Sequence, residues 1–341
     1  MTPALLKYLC EPITKAPLDL VDASYDDQGS IETGRLVSAS GMSYPIVKGI
    51  PRFLSNLRTE TVASFGEEWN FFNYTDFKQN WLSHTVANTF GSPEVFKGKV
   101  IVDAGGGSGA QSKWFAEYGA KHVILMELSH SVDQVVKSNL IGLRNVDVIQ
   151  CSIDAPPIRD CSIDGIVYCH NVIQHTPSVE KTAHALYSLV APGGEFVFNC
   201  YGVNDGPGLL RWIRFHLVGR GLFALTRRMS DRQVMVFSYA MAWLRMIPFL
   251  GWFLERCGII RCGDVPAIPG ETIFSRLKRR FKQTYLNTRD QHGQHHFQHG
   301  KTNSELQVLL AELQPDSKKI LNADRYFSRP PPNGIAFRVW R

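Results

Sequence analysis

VIVDAGGGSG, residues 100–109, decides the fold. An apolar β-type run ends in Asp103 and Ala104, bends through four glycines and passes into a helical pattern over 110–118. The alternation then repeats: HVILMEL at 122–128, a helix over 131–138, VDVIQCS at 146–152, DGIVYCHNVI at 164–173, a helix over 179–189, and EFVFNCYG at 195–202. Neighbouring strands joined through helices of this length run parallel, because only a crossover returns the chain to the same end. Near the end of the chain, LNADRYF (321–327) and GIAFRVW (334–340) flank the break at Pro330, Pro331 and Pro332 and read as a closing edge hairpin. The expected architecture is α/β: a Rossmann-like, doubly wound, seven-stranded, mostly parallel sheet that binds its ligand at the carboxyl edge.

The flanking regions depart from that pattern. Residues 1–57, punctuated by Gly34, Gly41, Pro45, Gly49 and Pro51, read as a small β-rich module. Residues 58–98, with FGEEWNFF and TVANTF, read as a helical lid segment ahead of the core at 99–201. Residues 202–284 turn helical and apolar, an insertion before the C-terminal part of the domain at 285–341. The insertion interleaves Trp212, Phe215, Phe223, Phe237, Trp243, Phe249 and Trp252 with Arg211, Arg214, Arg220, Arg227 and Arg228. Such a segment covers something apolar. A substrate is the favoured reading, a homodimer partner the next, and peripheral contact with a membrane carrying anionic headgroups the third.

Composition narrows the classes. A chain of 341 residues with 44% hydrophobic and 20% charged residues can bury a real core and is not disordered overall. A net charge of +6 is spread too thinly to mark a nucleic-acid binder. The basic run RLKRRFK (276–282) reads as a solvated helix face, and no aromatics interleave with bases as on an RNA platform. DNA is therefore not an expected partner and RNA only a secondary one. Seven cysteines without a CxxC pair write neither a disulfide framework nor a closed zinc site, which suits a reducing, cytoplasmic compartment. The start, MTPALLKYLCEPITK, lacks the features of a secretory signal. The most apolar stretch, 233–254, is long enough to span a bilayer, but Arg245 and Pro248 argue against it.

A glycine loop after the first strand of such a sheet lets backbone approach a ligand closely and presents the N–H groups of the next helix. Gly105, Gly107 and Ala110 also satisfy the dinucleotide fingerprint, so the loop alone leaves NAD and FAD open. Asp103 speaks against a pyrophosphate: a carboxylate at the strand tip repels phosphate and suits the ammonium of an amino-acid ligand. Glu127, ending the next strand, is placed to accept both hydroxyls of a ribose, as it would in dinucleotide proteins too.

VDAGGGSG (102–109), ILMELS (124–129), CSIDGIVYCHNVIQHTP (161–177) and APGGEFVF (191–198) follow one another in the order of the class I S-adenosylmethionine (SAM) dependent methyltransferases, which residues 100–201 resemble. The resemblance implies SAM as cofactor, held by Asp103, Ala104, Gly105, Gly107, Glu127 and Leu128, with Ser152 and Ile153 at the adenine and His170 beside the cofactor. Ser152 stands where the family often carries an acid and is the weaker acceptor. FGEEWNFF resembles an aromatic lid over the cofactor, with Phe65 and Trp69 as its candidates; plain core packing stays open for both. EPITKAPL (11–18) and VSASGMSYPIVKGIP (37–51) resemble a zinc-ribbon module found ahead of some bacterial methyltransferase domains, but without its cysteine pairs. Glu11 and Thr14, then Val37 and Ser40, stand in those places, with Cys10 one position out of register. No thiolate site can form. A metal-free docking module held by Leu18, Tyr44, Ile46, Ile50 and Phe53 is expected instead.

Methyl transfer from a sulfonium is an in-line displacement, so the acceptor must be aligned and its proton removed. His170 is the first candidate for shaping the methyl pocket or acting as base, with packing against the cofactor the open alternative. His175 either ends a helical turn or faces the substrate. DQHGQHHFQHG (290–300) resembles the loop that reaches the active site in the same methyltransferase subgroup. His295 and His296 are expected to bind or deprotonate the acceptor, His292 and His299 to contact it, and none to hold a metal. The expected function is SAM-dependent methylation of an O or N atom on a partly apolar small molecule: a secondary metabolite, a quinone-like ring or a lipid-linked acceptor. RNA methylation and a non-catalytic SAM-binding subunit are the alternatives.

Overall fold

The computed structural model of the chain describes residues 1–54, 66, 69, 74–201, 220–226, 228–257, 259–260, 270–292, 299–320 and 335–341. The chain forms two compact units, Met1–Val203 with Phe297–Arg341, and Asn204–His296.

The first unit is built on one sheet. Its strands are β1 (Leu18–Tyr25), β2 (Ile31–Ser38), β3 (Ser43–Val47), β4 (Ile50–Phe53), β5 (Val100–Ala104), β6 (His122–Glu127), β7 (Val146–Cys151), β8 (Ile166–Cys169), β9 (Glu195–Cys200), β10 (Ser317–Ile320) and β11 (Ile335–Trp340). They lie in the order β1-β2-β3-β4-β7-β6-β5-β8-β9-β11-β10. From β7 through β9 all pairs are parallel, and β11 closes the series antiparallel to both β9 and β10. Every residue of β5, β6 and β9 is buried, as parallel strands covered on both faces must be. The partner of the last strand is Ser317–Ile320 rather than LNADRYF, which lies outside the described residues.

One expectation is corrected here: the sheet has eleven strands, not seven. The N-terminal meander continues the central sheet, because β4 pairs in parallel with β7 through Arg52↔Gln150 and Phe53↔Cys151. The edge of β7 would otherwise present unpaired backbone groups. Tyr44, Ile46 and Phe53 join one core with Ile124, Met126 and Ile149, while Leu18 packs half-buried at its margin. Polar ties fasten the same seam. Asp147 Oδ1 accepts the Thr2 N–H at 2.7 Å, its Oδ2 lies 2.9 Å from His122 Nε2, and Lys15 Nζ donates to the Pro156 carbonyl at 2.7 Å.

Glu11 organises the turn where the first cysteine pair of a ribbon would stand. Its carboxylate accepts the N–H of Ile13 (2.8 Å), the N–H of Thr14, the Thr14 hydroxyl (2.7 Å) and, from β3, the Tyr44 hydroxyl (2.8 Å). Burial pushes this carboxyl up, but the hydrogen bonds from Thr14, Tyr44 and Ile13 outweigh it and hold the group below its ordinary range.

The second unit is helical. Ser230 and Gln233 form a capping box that starts the helix Asp231–Met246. Shorter helices at Arg220–Thr226 and Leu250–Arg256 flank it, and Ile273–His292 is the longest of the unit. The apolar stretch 233–254 is thus broken around Pro248, and no helix among the described residues is long and apolar enough to cross a membrane. The two long helices pack antiparallel: Phe237 meets His292 (ring centroids 5.4 Å apart), Tyr239 meets Tyr285 (6.4 Å) and Trp243 meets Phe281 (5.2 Å). The expected boundary between 284 and 285 cuts through Ile273–His292, so it is corrected to the end of this unit at His296.

Candidate cofactor and active site

The glycine loop leaves β5 at the centre of the sheet and is fastened to the next strand. The N–H groups of Gly105 and Gly106 both donate to the Met126 carbonyl, at 2.7 and 3.2 Å. Gly105 (φ 80°) and Gly107 (φ 56°) lie in the left-handed region. A Cβ on Gly105 would sit 2.5 Å from a Val172 methyl, and one on Gly107 would sit 2.7 Å from the Trp69 ring. Only glycine fits both the torsion and the space. Val172 and Trp69 thus pack directly against these two glycines. Phe65 lies outside the described residues.

Two carboxylates flank this bend. Asp103 is 3% exposed and accepts the Ser112 hydroxyl at 2.6 Å. Burial pushes its pKa up to about 6, with the Ser112 bond opposing and the charge of Glu127 adding to the rise. Glu127, equally buried, accepts the Gly107 N–H at 2.9 Å and the Ser129 N–H at 2.7 Å. Burial raises its pKa too, against hydrogen bonds from the Ser129 hydroxyl and from the N–H groups of Ser129, Gly107 and Leu128. No cation faces either group among the described residues. Buried anionic charge at a glycine bend fits a ligand that brings an ammonium and two vicinal hydroxyls, and SAM has both.

Residues 102–198 match the family model described as a methyltransferase domain. This segment is similar to methyltransferase domains. The cofactor it indicates is S-adenosylmethionine. Among similar proteins, the ubiquinone biosynthesis O-methyltransferase of Erwinia tasmaniensis is 29% identical over 133 residues, 38% of this chain and 51% of that protein. The protein of the same description from Salmonella typhimurium is 28% identical over 115 residues, 33% of this chain and 47% of its own. The chain thus spans about half the length of the curated relatives it matches. A SAM-dependent methyltransferase structure from Mesorhizobium loti is 16% identical, covering 78% of this chain and all (100%) of its own, with a TM-score of 0.43.

The residues expected at the adenine, Ser152 and Ile153, directly follow β7. Ala104 and Ile153 are buried, and the Leu128 carbonyl accepts from Gln150 Nε2 at 3.1 Å. Ser152 does not stand alone, since its hydroxyl donates to Asp154 Oδ1. Asp154 is thus the carboxylate beside that hydroxyl. An open cleft of about 510 Å³ lies on the outer side of Gln150, lined by Lys48, Arg52, His130 and Asp133 among others, and not over the glycine loop.

On the other flank lies the chain after β8. Asn171 adopts φ 59°, its N–H donates to Asn199 Oδ1 at 2.6 Å, and Asn199 Nδ2 donates back to Asn171 Oδ1. The His170 ring stacks on Tyr168 at 5.7 Å. Burial lowers its pKa to about 4, so the ring is neutral at pH 7 and a poor acceptor for a hydroxyl proton. That environment suits the shaping part of its expected role better than base catalysis. His175 ends the short helical turn Ile173–His175 and meets the Tyr201 ring edge-on at 5.8 Å. The His299 N–H donates to the Gln174 carbonyl at 2.9 Å, bringing the returning chain to this loop. Gln174 is fully buried, and neither side-chain amide atom has a hydrogen-bond partner among the described residues.

The histidine cluster is divided. His292 is not in a loop: it ends the helix Ile273–His292, is 1% exposed, lies 3.1 Å from the Ile259 carbonyl through Nε2, and packs edge-on against Phe237. The loop expected from 290 therefore starts later, because the helix extends through His292 and buries its ring. His295 and His296 lie outside the described residues.

Proposed function

We propose that the whole chain is a SAM-dependent methyltransferase acting on a hydroxyl or amine of a partly apolar small molecule. The observation that carries this reading is the pair of buried carboxylates, Asp103 and Glu127, which no cation faces among the described residues and which flank a bend where only glycine fits. The cofactor supplies a methyl group already activated on a sulfonium. Asp103 holds the amino-acid end of the cofactor, Glu127 its ribose, and Ser152 with Asp154 and Ile153 its adenine. Trp69 and Val172 exclude water from the crevice. His170, neutral and stacked on Tyr168, shapes the space beside the reacting centre.

The acceptor lies against the loop after β8, where Gln174 has an amide donor and an amide acceptor to offer. A buried amide without partners destabilises the fold by about 1 to 3 kcal/mol, so its retention suits a ligand that satisfies it. The O-methyltransferases similar to this chain favour a phenolic or hydroquinone-like oxygen as the methylated atom. Residues 1–54 read as a ribbon remnant whose Glu11 hydrogen bonds stand where a metal would cross-link, and the whole works in the cytoplasm. Incubation with methyl-labelled SAM tests the activity. Label should enter catechol and hydroquinone acceptors and not bulk RNA, and label in neither would overturn the reading.

A further inference from the structure

The antiparallel packing of the helical unit gathers its exposed apolar residues at one end. Because Phe237 meets His292 and Trp243 meets Phe281, the C-terminal end of Asp231–Met246 lies beside the N-terminal end of Ile273–His292. At that end Trp243 is 57% exposed, Phe249 87%, Phe253 54%, Ile273 81%, Phe274 79% and Leu277 45%. All six residues from 273 to 278 are exposed, at the first turns of the longer helix. An apolar cluster of this kind on a monomer marks a contact surface. Phe249 adds a second sign: it holds φ 61° and ψ −52°, a strained conformation for a bulky residue, while displaying its ring to solvent.

Charge selects the partner. Ile273, Phe274, Leu277 and Phe281 share one helix face, with Lys278 on one flank and Arg276 and Arg280 on the other. The acids nearby are already paired, Glu255 with Arg245 at 2.9 Å and Glu271 with Arg279 at 2.6 Å. A second copy of the chain would set these basic flanks against each other. An anionic lipid surface complements both features, accepting the rings below its headgroups and the basic side chains among them. We propose that this end of the helical unit docks on a membrane surface rich in anionic lipid. The inference is independent of the methyl-transfer reading.

Co-sedimentation of the full chain with vesicles tests it. Binding is expected to vesicles containing phosphatidylglycerol, to weaken with salt, and to be absent on pure phosphatidylcholine. Arg276→Glu with Lys278→Glu, and separately Phe249→Ser with Phe274→Ser, should each weaken it by about tenfold or more, with unchanged circular-dichroism melts showing that the variants fold. The proposal is overturned if neither vesicle is bound, if both variant pairs bind like the parent, or if sedimentation equilibrium shows a dimer that Phe249→Ser dissociates.

Discussion

Asp103 is the residue on which most of the account turns. Its carboxyl is raised to about 6, so the folded protein holds this proton more tightly than the unfolded chain, whose ordinary value is 3.8. The sign follows: in ligand-free protein, the contribution of Asp103 to stability is lost as pH rises from about 4 to about 6 and stays lost above that. Asp103→Asn should therefore be neutral or stabilising in urea titrations at pH 8, where an ordinary buried hydrogen-bond acceptor would be missed. Gln174→Leu should likewise raise the midpoint of urea unfolding, by about 1 to 2 kcal/mol, by removing an unsatisfied buried amide, while lowering acceptor turnover. His170 should stay neutral down to about pH 5 in an NMR titration of labelled histidines, because burial holds its pKa near 4. An ordinary titration near 6.5 would show that its ring is solvated. The positions of Asp103, Gly105, Gly107 and Glu127 at the tips of two adjacent strands were legible in the sequence because each apolar β-type run ends at them. Asp154, the Asn171 and Asn199 pair and Gln174 were not, since each acquires its meaning from burial or from a partner elsewhere in the fold. Asn199, a polar residue inside the apolar run EFVFNC, was the one visible hint.

At the scale of elements, alternation revealed the strands but not which edge the first four would join. Two-residue periodicity says that β1 to β4 form a meander; only the tertiary structure says that β4 lies beside β7. Glu11 shows how the seam is held without thiolates. Its folded pKa is depressed, so the stabilisation it gives is present above the unfolded value of 4.5 and lost as pH falls through the folded one. Glu11→Ala should destabilise by about 1 to 3 kcal/mol at pH 7 in urea titrations, since it orphans the buried Tyr44 hydroxyl and removes the acceptor of the Ile13 and Thr14 donors. The difference from the parent should shrink in acid. Deleting residues 1–54 should abolish cooperative unfolding, because it strips the edge of β7 and opens the core around Ile149 and Cys151.

At the scale of the molecule, the chain of the eleven-stranded sheet is interrupted by a helical unit between β9 and β10. The interruption was legible as a break in the strand–helix rhythm after Tyr201, but its far boundary was not, because the helical pattern of 273–292 runs without a seam through 284. The chain leaves and returns at one point: the Lys301 N–H donates to the Tyr201 carbonyl at 2.9 Å, and Lys301 Nζ pairs with Glu180 at 2.5 Å. A segment whose ends meet can be removed with little strain. Replacing residues 204–296 by a short glycine–serine linker should leave the sheet unit folded, as judged by a cooperative melt, and still able to bind the cofactor. The most direct test is isothermal titration of the intact chain and of Asp103→Asn with S-adenosylhomocysteine at pH 8. One site is expected, weakened by about tenfold to a hundredfold in the variant through loss of a charge-assisted contact. Absence of binding to the parent, or equal binding by both proteins, would contradict the assignment of this bend as the cofactor site.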